Sequence, residues 1–127
     1  MVGNPAAFVL LGRPCSLRGY LYFNGTQTAD QWTTSAPVDG DVIGIAIDGM
    51  NGLIWVNKNN GAWNEAMGGT QDPATGQGGF LVSGLTTGKT YIAACGQDNG
   101  TAQVFTLHAS AASLAASPPS GFTAWDD

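Results

Sequence analysis

An all-β chain, folded as an antiparallel β-sandwich, is what this sequence predicts, and three observations predict it. Asn-Gly occurs four times, at Asn24-Gly25, Asn51-Gly52, Asn60-Gly61 and Asn99-Gly100. That pair tolerates positive φ at both central positions of a type I′ turn, whose twist matches the strands it joins. The segments between these turns are short and rich in β-branched and aromatic residues, the composition of strands. Finally, no stretch carries apolar residues at the three- and four-residue spacing of an amphipathic helix.

The elements follow in order. Ala6-Ala7-Phe8-Val9-Leu10-Leu11 is a short apolar run with no basic residue before it, so it reads as a strand over Phe8–Leu11 and not as a secretory signal. Gly19–Phe23 is an aromatic strand ending at the first Asn-Gly pair. Val42–Asp48 and Leu53–Asn57 are apolar on both faces, which places both in the middle of a sheet covered on each side. Gly79–Ser83, Thr90–Cys95 and Ala102–Leu107 complete the set, the last less cleanly alternating and nearer an edge. Ala109–Ala116 has helical propensity, but its serines and the following Pro118-Pro119 favour an irregular segment. Asp39-Gly40 and Gly76-Gln77-Gly78-Gly79 add turns.

With 127 residues, the chain has the length of one domain, taken as 1–127. Apolar residues make up 43% of it, enough for a core at this size. Charged residues are only 10%, against roughly 25% in an average soluble domain, which excludes a disordered acidic tail and a coiled coil. Net charge is -5, and the basic residues are Arg13, Arg18, Lys58 and Lys89. They are too few and too scattered to neutralise a run of phosphates or an anionic lipid surface, so neither nucleic acid nor membrane is an expected partner. No apolar run reaches the roughly 18 residues of a membrane span. Cys15 and Cys95 form no metal-binding pattern; two reduced thiols are expected, and a disulfide between them would require an oxidising compartment.

Catalytic and metal chemistry find little to work with. His108 is the single histidine, and no Gly-x-Ser-x-Gly elbow accompanies it. Asp39 and Asp41 flank a glycine, where carboxylates hold turns by accepting from nearby backbone N–H groups; Asp48 is expected to do the same. Asp48-Gly49-Met50-Asn51-Gly52 lacks the spacing of a calcium loop, and Gly76-Gln77-Gly78-Gly79 is followed by no Lys-Ser/Thr of a phosphate loop. The expectation is no enzyme, no cofactor and no metal. Asn24-Gly25-Thr26 and Asn99-Gly100-Thr101 match the glycosylation pattern, but tight turns explain both. Of the tryptophans, Trp55 lies inside an apolar strand and reads as core, whereas Trp32 and Trp63 sit in polar loop contexts. Those two either cap the ends of the sandwich or stack on a sugar or protein partner.

One block carries a family resemblance. Gly40-Asp41-Val42 opens an aliphatic run ending in Asp48; a four-residue turn, the strand Leu53-Ile54-Trp55-Val56 and the turn Asn59-Asn60-Gly61 follow, with Trp63 just beyond. Gly69–Gly76, the strand Tyr91–Cys95 and the closing Pro118-Pro119-Ser120-Gly121-Phe122 continue it. The set resembles a SPRY (B30.2-like) domain of the kind found in tailed-bacteriophage and bacterial proteins, over about residues 20–125. The usual N-terminal aromatic strand with a Glu-Val run is missing, so one or two early strands are expected to be absent and an edge to be covered by a partner chain. The resemblance implies a concanavalin-like sandwich that binds without catalysis: a capsid decoration, spike or tail-fibre component of a virion, assembled in the host cytoplasm. Other virion subunits and further copies of this chain are the expected partners, with host surface glycan as the alternative ligand. The candidate binding residues are Tyr20, Tyr22, Trp32, Asn59, Asn60 and Trp63.

Overall fold

The computed structural model describes residues 6–12, 20–23, 26–29, 32–35, 37–82, 91–97 and 106–124. Seven strands lie within them: β1 (Ala6–Gly12), β2 (Tyr20–Phe23), β3 (Thr26–Ala29), β4 (Ile43–Asp48), β5 (Leu53–Lys58), β6 (Phe80–Leu81) and β7 (Tyr91–Gln97). The described residues form no α-helix; Glu65–Met67 and Pro73–Thr75 are single 3-10 turns. The chain is all-β among the described residues, as its turns and apolar segments predict.

Strands β3-β2-β1-β7 make a four-stranded sheet and β4-β5-β6 a three-stranded antiparallel one, with β3 passing close to β6. In the first sheet, β1 pairs antiparallel with β2, opposing Phe8 to Phe23. Its other neighbour is β7, and this pairing is parallel, with Ala6 opposite Tyr91 and Gly12 opposite Gln97. The purely antiparallel expectation is corrected there. A parallel pair requires a long crossover between its strands, and here the crossover contains every strand from β2 to β6. Among the described residues β1 is thus an interior strand of its sheet.

Two strands differ from the sequence expectation in a way that has a physical cause. Thr26-Gln27-Thr28-Ala29 shows no apolar alternation, yet it pairs with β2 directly after the Asn24-Gly25 pair, with Phe23 opposite Thr26. A shift of register between Leu21 and Tyr22 gives this hairpin a bulge. Of the expected strand Gly79–Ser83 the structure shows Phe80–Leu81: Gly78 turns at φ +68° just before it, the Trp55 ring lies against Gly79, where a Cβ would be 2.8 Å from it, and Ser83 lies outside the described residues. Pairing nevertheless runs on to Val82, whose N–H donates to the Gly52 carbonyl at 2.8 Å. Of the expected strand Ala102–Leu107, residues 102–105 lie outside the described residues, and Thr106 and Leu107 are irregular.

Register sorts the second sheet into two faces. Ile43, Ile45 and Ile47 of β4 stand beside Lys58, Val56 and Ile54 of β5, and Phe80 of β6 stands beside Ile54. Trp32, Ile54, Val56 and Val82 form the buried cluster on this face, with the three isoleucines and Phe80 packed against it. On the opposite face Trp55 is fully buried beside Ala46. The Trp55 indole N–H donates to the Gln77 carbonyl at 2.8 Å, and its ring meets Phe122 edge-on at 6.1 Å between centroids. Strand β5 is therefore the covered central strand expected of it. Strand β4 is corrected: it is the edge of this sheet among the described residues, and its isoleucines are only half-buried. Its second face is made by Gly44 and Ala46, small enough for the Asn57 side chain and Trp55 to lie over them.

The Asn-Gly turns also differ in detail. Asn51 does not have positive φ; the β4–β5 connection is a four-residue loop with Gly52 alone at φ +70°. At the other end of β5 the left-handed pair is Asn59 and Asn60, at φ 53° and 56°, closed by Gly61 N–H to the Lys58 carbonyl at 2.9 Å. Both central residues with positive φ make a type I′ turn, one residue earlier than the Asn-Gly pair suggests. Ser110–Leu114 makes one turn, with Ser113 and Leu114 N–H groups both on the Ser110 carbonyl, in an otherwise irregular tail. Cys15 lies outside the described residues, as do Asn24-Gly25 and Asn99-Gly100.

Candidate functional site

The turn after β5 organises one end of the second sheet. In its left-handed conformation, Asn59 swings its amide back toward the start of β4. There Oδ1 accepts from Val42 N–H at 2.8 Å and Nδ2 donates to Asp41 Oδ1 at 2.7 Å. The other oxygen of Asp41 accepts from Val38 N–H at 2.9 Å. These three bonds fix the loop over residues 38–42, and they leave Val38 and Val42 on the surface, the former 69% exposed.

The next two side chains extend the frame. Lys58 Nζ donates to the Ser35 carbonyl at 3.3 Å and to the Ser35 hydroxyl. Glu65 accepts from the Thr33 hydroxyl and from Thr34 N–H, each at 3.1 Å. One strand terminus and one 3-10 turn thus hold the segment at residues 32–35, which carries Trp32 into the core. Sequence reasoning missed this latch, because ordinary surface residues compose it and their partners are more than twenty positions away.

Asn64 supports the same end from inside. It is fully buried, with φ 42° and ψ 49°, a left-handed conformation that Asn tolerates better than most residues. Its Oδ1 accepts from Val56 N–H at 2.9 Å, and its Nδ2 donates to the carbonyls of Gly78 at 2.9 Å and Ile54 at 3.3 Å. One amide side chain therefore serves the backbone of β5 where a neighbouring strand otherwise would.

The candidate binding residues separate accordingly. Asn59, Asn60 and Trp63 share one short stretch; both asparagines are exposed and Trp63 is half-buried, bridged by its backbone to Gln71. Asn59 is committed to the loop contacts above, so Asn60 and Trp63 are the freer pair. Trp32 does not join them: it is 3% exposed and part of the core, so of its two readings the packed one holds and its place among the candidate binding residues is corrected. The polar residues around it in sequence mark the latch, not an open loop. Tyr20 and Tyr22 lie on β2, and where their side chains sit falls outside the described residues. Val38 carries no signal in the sequence, and Val42 reads there as the first residue of a covered strand, whereas it lies exposed just before β4.

The carboxylates are structural acceptors. The Val38 N–H first, and then the Asn59 amide, hold Asp41 below its ordinary value of 3.8. The Asn51 side chain does the same for Asp48, which also accepts from Met50 and Asn51 N–H groups. Glu65 is lowered chiefly by Thr34 N–H. Each is held ionised by donors and is a poor general acid near neutral pH. His108 is exposed in the irregular tail. Among the described residues no three His, Cys, Asp or Glu side chains come together as a cation site would require.

No family model, curated protein or solved structure matches the chain.

Proposed function

We propose that the protein is a non-catalytic structural or adhesion module of a bacteriophage virion, acting through protein–protein contacts. The observation that carries the non-catalytic part is the use made of Asp41, Asp48 and Glu65: all three are ionised acceptors for loop N–H groups. The end of the sheet held by Asp41 and Glu65 offers a fixed shape and exposed valines to a partner, and Asp48 holds the turn at the opposite end of the β4–β5 hairpin in the same way. The virion assignment rests on the SPRY-like order of motifs in the sequence. A two-layer sandwich belongs to the same reading. The aliphatic face of Ile43, Ile45, Ile47 and Ile54 requires a cover to leave water, and the four-stranded sheet, with its apolar β1, is a cover of the right kind.

The test is proteomic. The protein purifies with intact particles in many copies, and cross-links join the loop at residues 38–42 to another virion subunit. Its absence from particles that are otherwise complete rejects the assignment. Glycan binding is the second reading, favoured by half-exposed Trp63 three residues from Asn60. It requires retention on host polysaccharide that Trp63→Ala removes while particle assembly persists.

A further inference from the structure

Asn-Gly is the weakest sequence in a protein toward loss of the side-chain amide, because glycine has no Cβ to keep its nitrogen away from the asparagine. Two such pairs lie among the described residues, and the fold treats them differently. At Asn51-Gly52 the Asn51 amide is held by Asp48 Oδ2 at 2.6 Å, and Asn51 N–H by Oδ1 at 3.1 Å. Gly52 is buried, and its carbonyl accepts from Val82 at the edge of β6. Ring closure there requires opening of the β4–β5 loop and of its pairing with β6. At Asn60-Gly61 both residues are exposed. The glycine nitrogen is restrained by one turn hydrogen bond, to the Lys58 carbonyl at 2.9 Å, and an exposed turn opens far more often than a sheet does.

We propose that Asn60 is a site of spontaneous deamidation in the folded protein, while Asn51 is kept unreactive by Asp48 and the hairpin around it. When the turn opens, Gly61 N gives its proton to hydroxide and attacks Cγ of Asn60. The new N–Cγ bond forms as Cγ–Nδ2 breaks, and Nδ2 takes a proton from water and leaves as ammonia. The cyclic imide then adds water and opens to an aspartyl or isoaspartyl residue. Water is the sole co-reactant, and no electrons are exchanged. Either product adds a negative charge to the turn beside Asp41. The isoaspartyl form also lengthens the backbone of a two-residue turn, so Asn59 loses the placement from which it holds Val42 and Asp41. The modification therefore loosens the loop that presents Val38 and Val42.

Folded protein incubated at mildly alkaline pH, beside a sample in concentrated guanidinium, tests this by peptide mapping with mass spectrometry that separates aspartyl from isoaspartyl products. In the folded sample Asn60 converts several-fold faster than Asn51, and in guanidinium the two rates converge. Asp48→Asn, checked for folding by circular dichroism, speeds conversion of Asn51 in the folded state and leaves that of Asn60 unchanged. Asn51 keeping pace with Asn60 in the folded protein overturns the proposal. So does an unmodified Asn60 over a period in which the denatured control converts completely.

Discussion

Asn64 and Trp32 show how much a single buried polar atom decides in this chain. The three side-chain bonds of Asn64 satisfy one donor and two acceptors of buried backbone. Asn64→Leu strands the Val56 N–H and the Gly78 carbonyl and places a γ-branched residue at φ 42°, so it is expected to cost roughly 2–6 kcal/mol in urea denaturation, from about 1–3 kcal/mol per stranded group. Asn64→Gly keeps the backbone conformation and is expected to recover only the strain part of that loss. Trp32 is the opposite case: its ring fills the core, but its indole N–H has no acceptor among the described residues. Trp32→Phe removes the orphaned donor together with some volume and is expected to fall within about 1 kcal/mol of the parent, whereas Trp32→Ala loses roughly 3–5 kcal/mol. The core role of Trp55 is legible in its apolar strand. Trp32 and Asn64 are not, since each takes its role from partners distant in the chain, and both types are common in exposed loops.

Among the elements, hairpins with an apolar strand on each side were readable from local chemistry. Strands β1, β2, β4, β5 and β7 fall where their β-branched and aromatic runs lie, within three residues at each end. What was hidden is pairing: β3 is made by its partner, β6 begins only after Gly79, against which the Trp55 ring lies, and the parallel alignment of β7 with β1 joins segments far apart in the chain. The β4–β5 loop gives these hairpins a measurable pH dependence. Asp48 has a folded pKa below 3.8, so the stability it confers is fully present above that unfolded value and disappears as pH falls through the folded one. Asp41 behaves likewise from 3.8, and Glu65 from 4.5. The melting temperature is therefore expected to fall as pH drops below about 4.5, through these three groups. For Asp48→Asn the melting temperature is expected to lie below that of the parent at neutral pH, and the two curves to converge well below pH 3.8. A gap that persists in strong acid assigns the effect of Asp48 to something other than its charge.

At the scale of the whole molecule, the balance between apolar surface and charge sets the behaviour. Val38, Val42, Met50, Met67, Leu81 and Leu107 are all exposed large hydrophobics, in a chain with only 10% charged residues to keep copies apart. Leu81 is 73% exposed on β6, an edge of the three-stranded sheet among the described residues, and β4 is the other edge with half-buried isoleucines. Edges of this kind pair with further chains unless charge, a bulge or a covering segment prevents it, and no Lys or Arg lies within β4 or β6. The homo-oligomer proposed for a virion component accordingly predicts a melting temperature that rises with protein concentration, because assembly that favours the folded state is linked to stability by mass action. Sedimentation at micromolar concentration is expected to show more than a monomer, and a charge placed on the edge, as in Leu81→Lys, to lower both the mass and the concentration dependence. That variant discriminates well: Leu81 contributes little to the core, so a change in assembly without a change in the far-ultraviolet dichroism reports on the edge alone. A concentration-independent transition with a monomer mass assigns the cover of these edges to the chain itself, and the virion contacts then fall to the loop at residues 38–42.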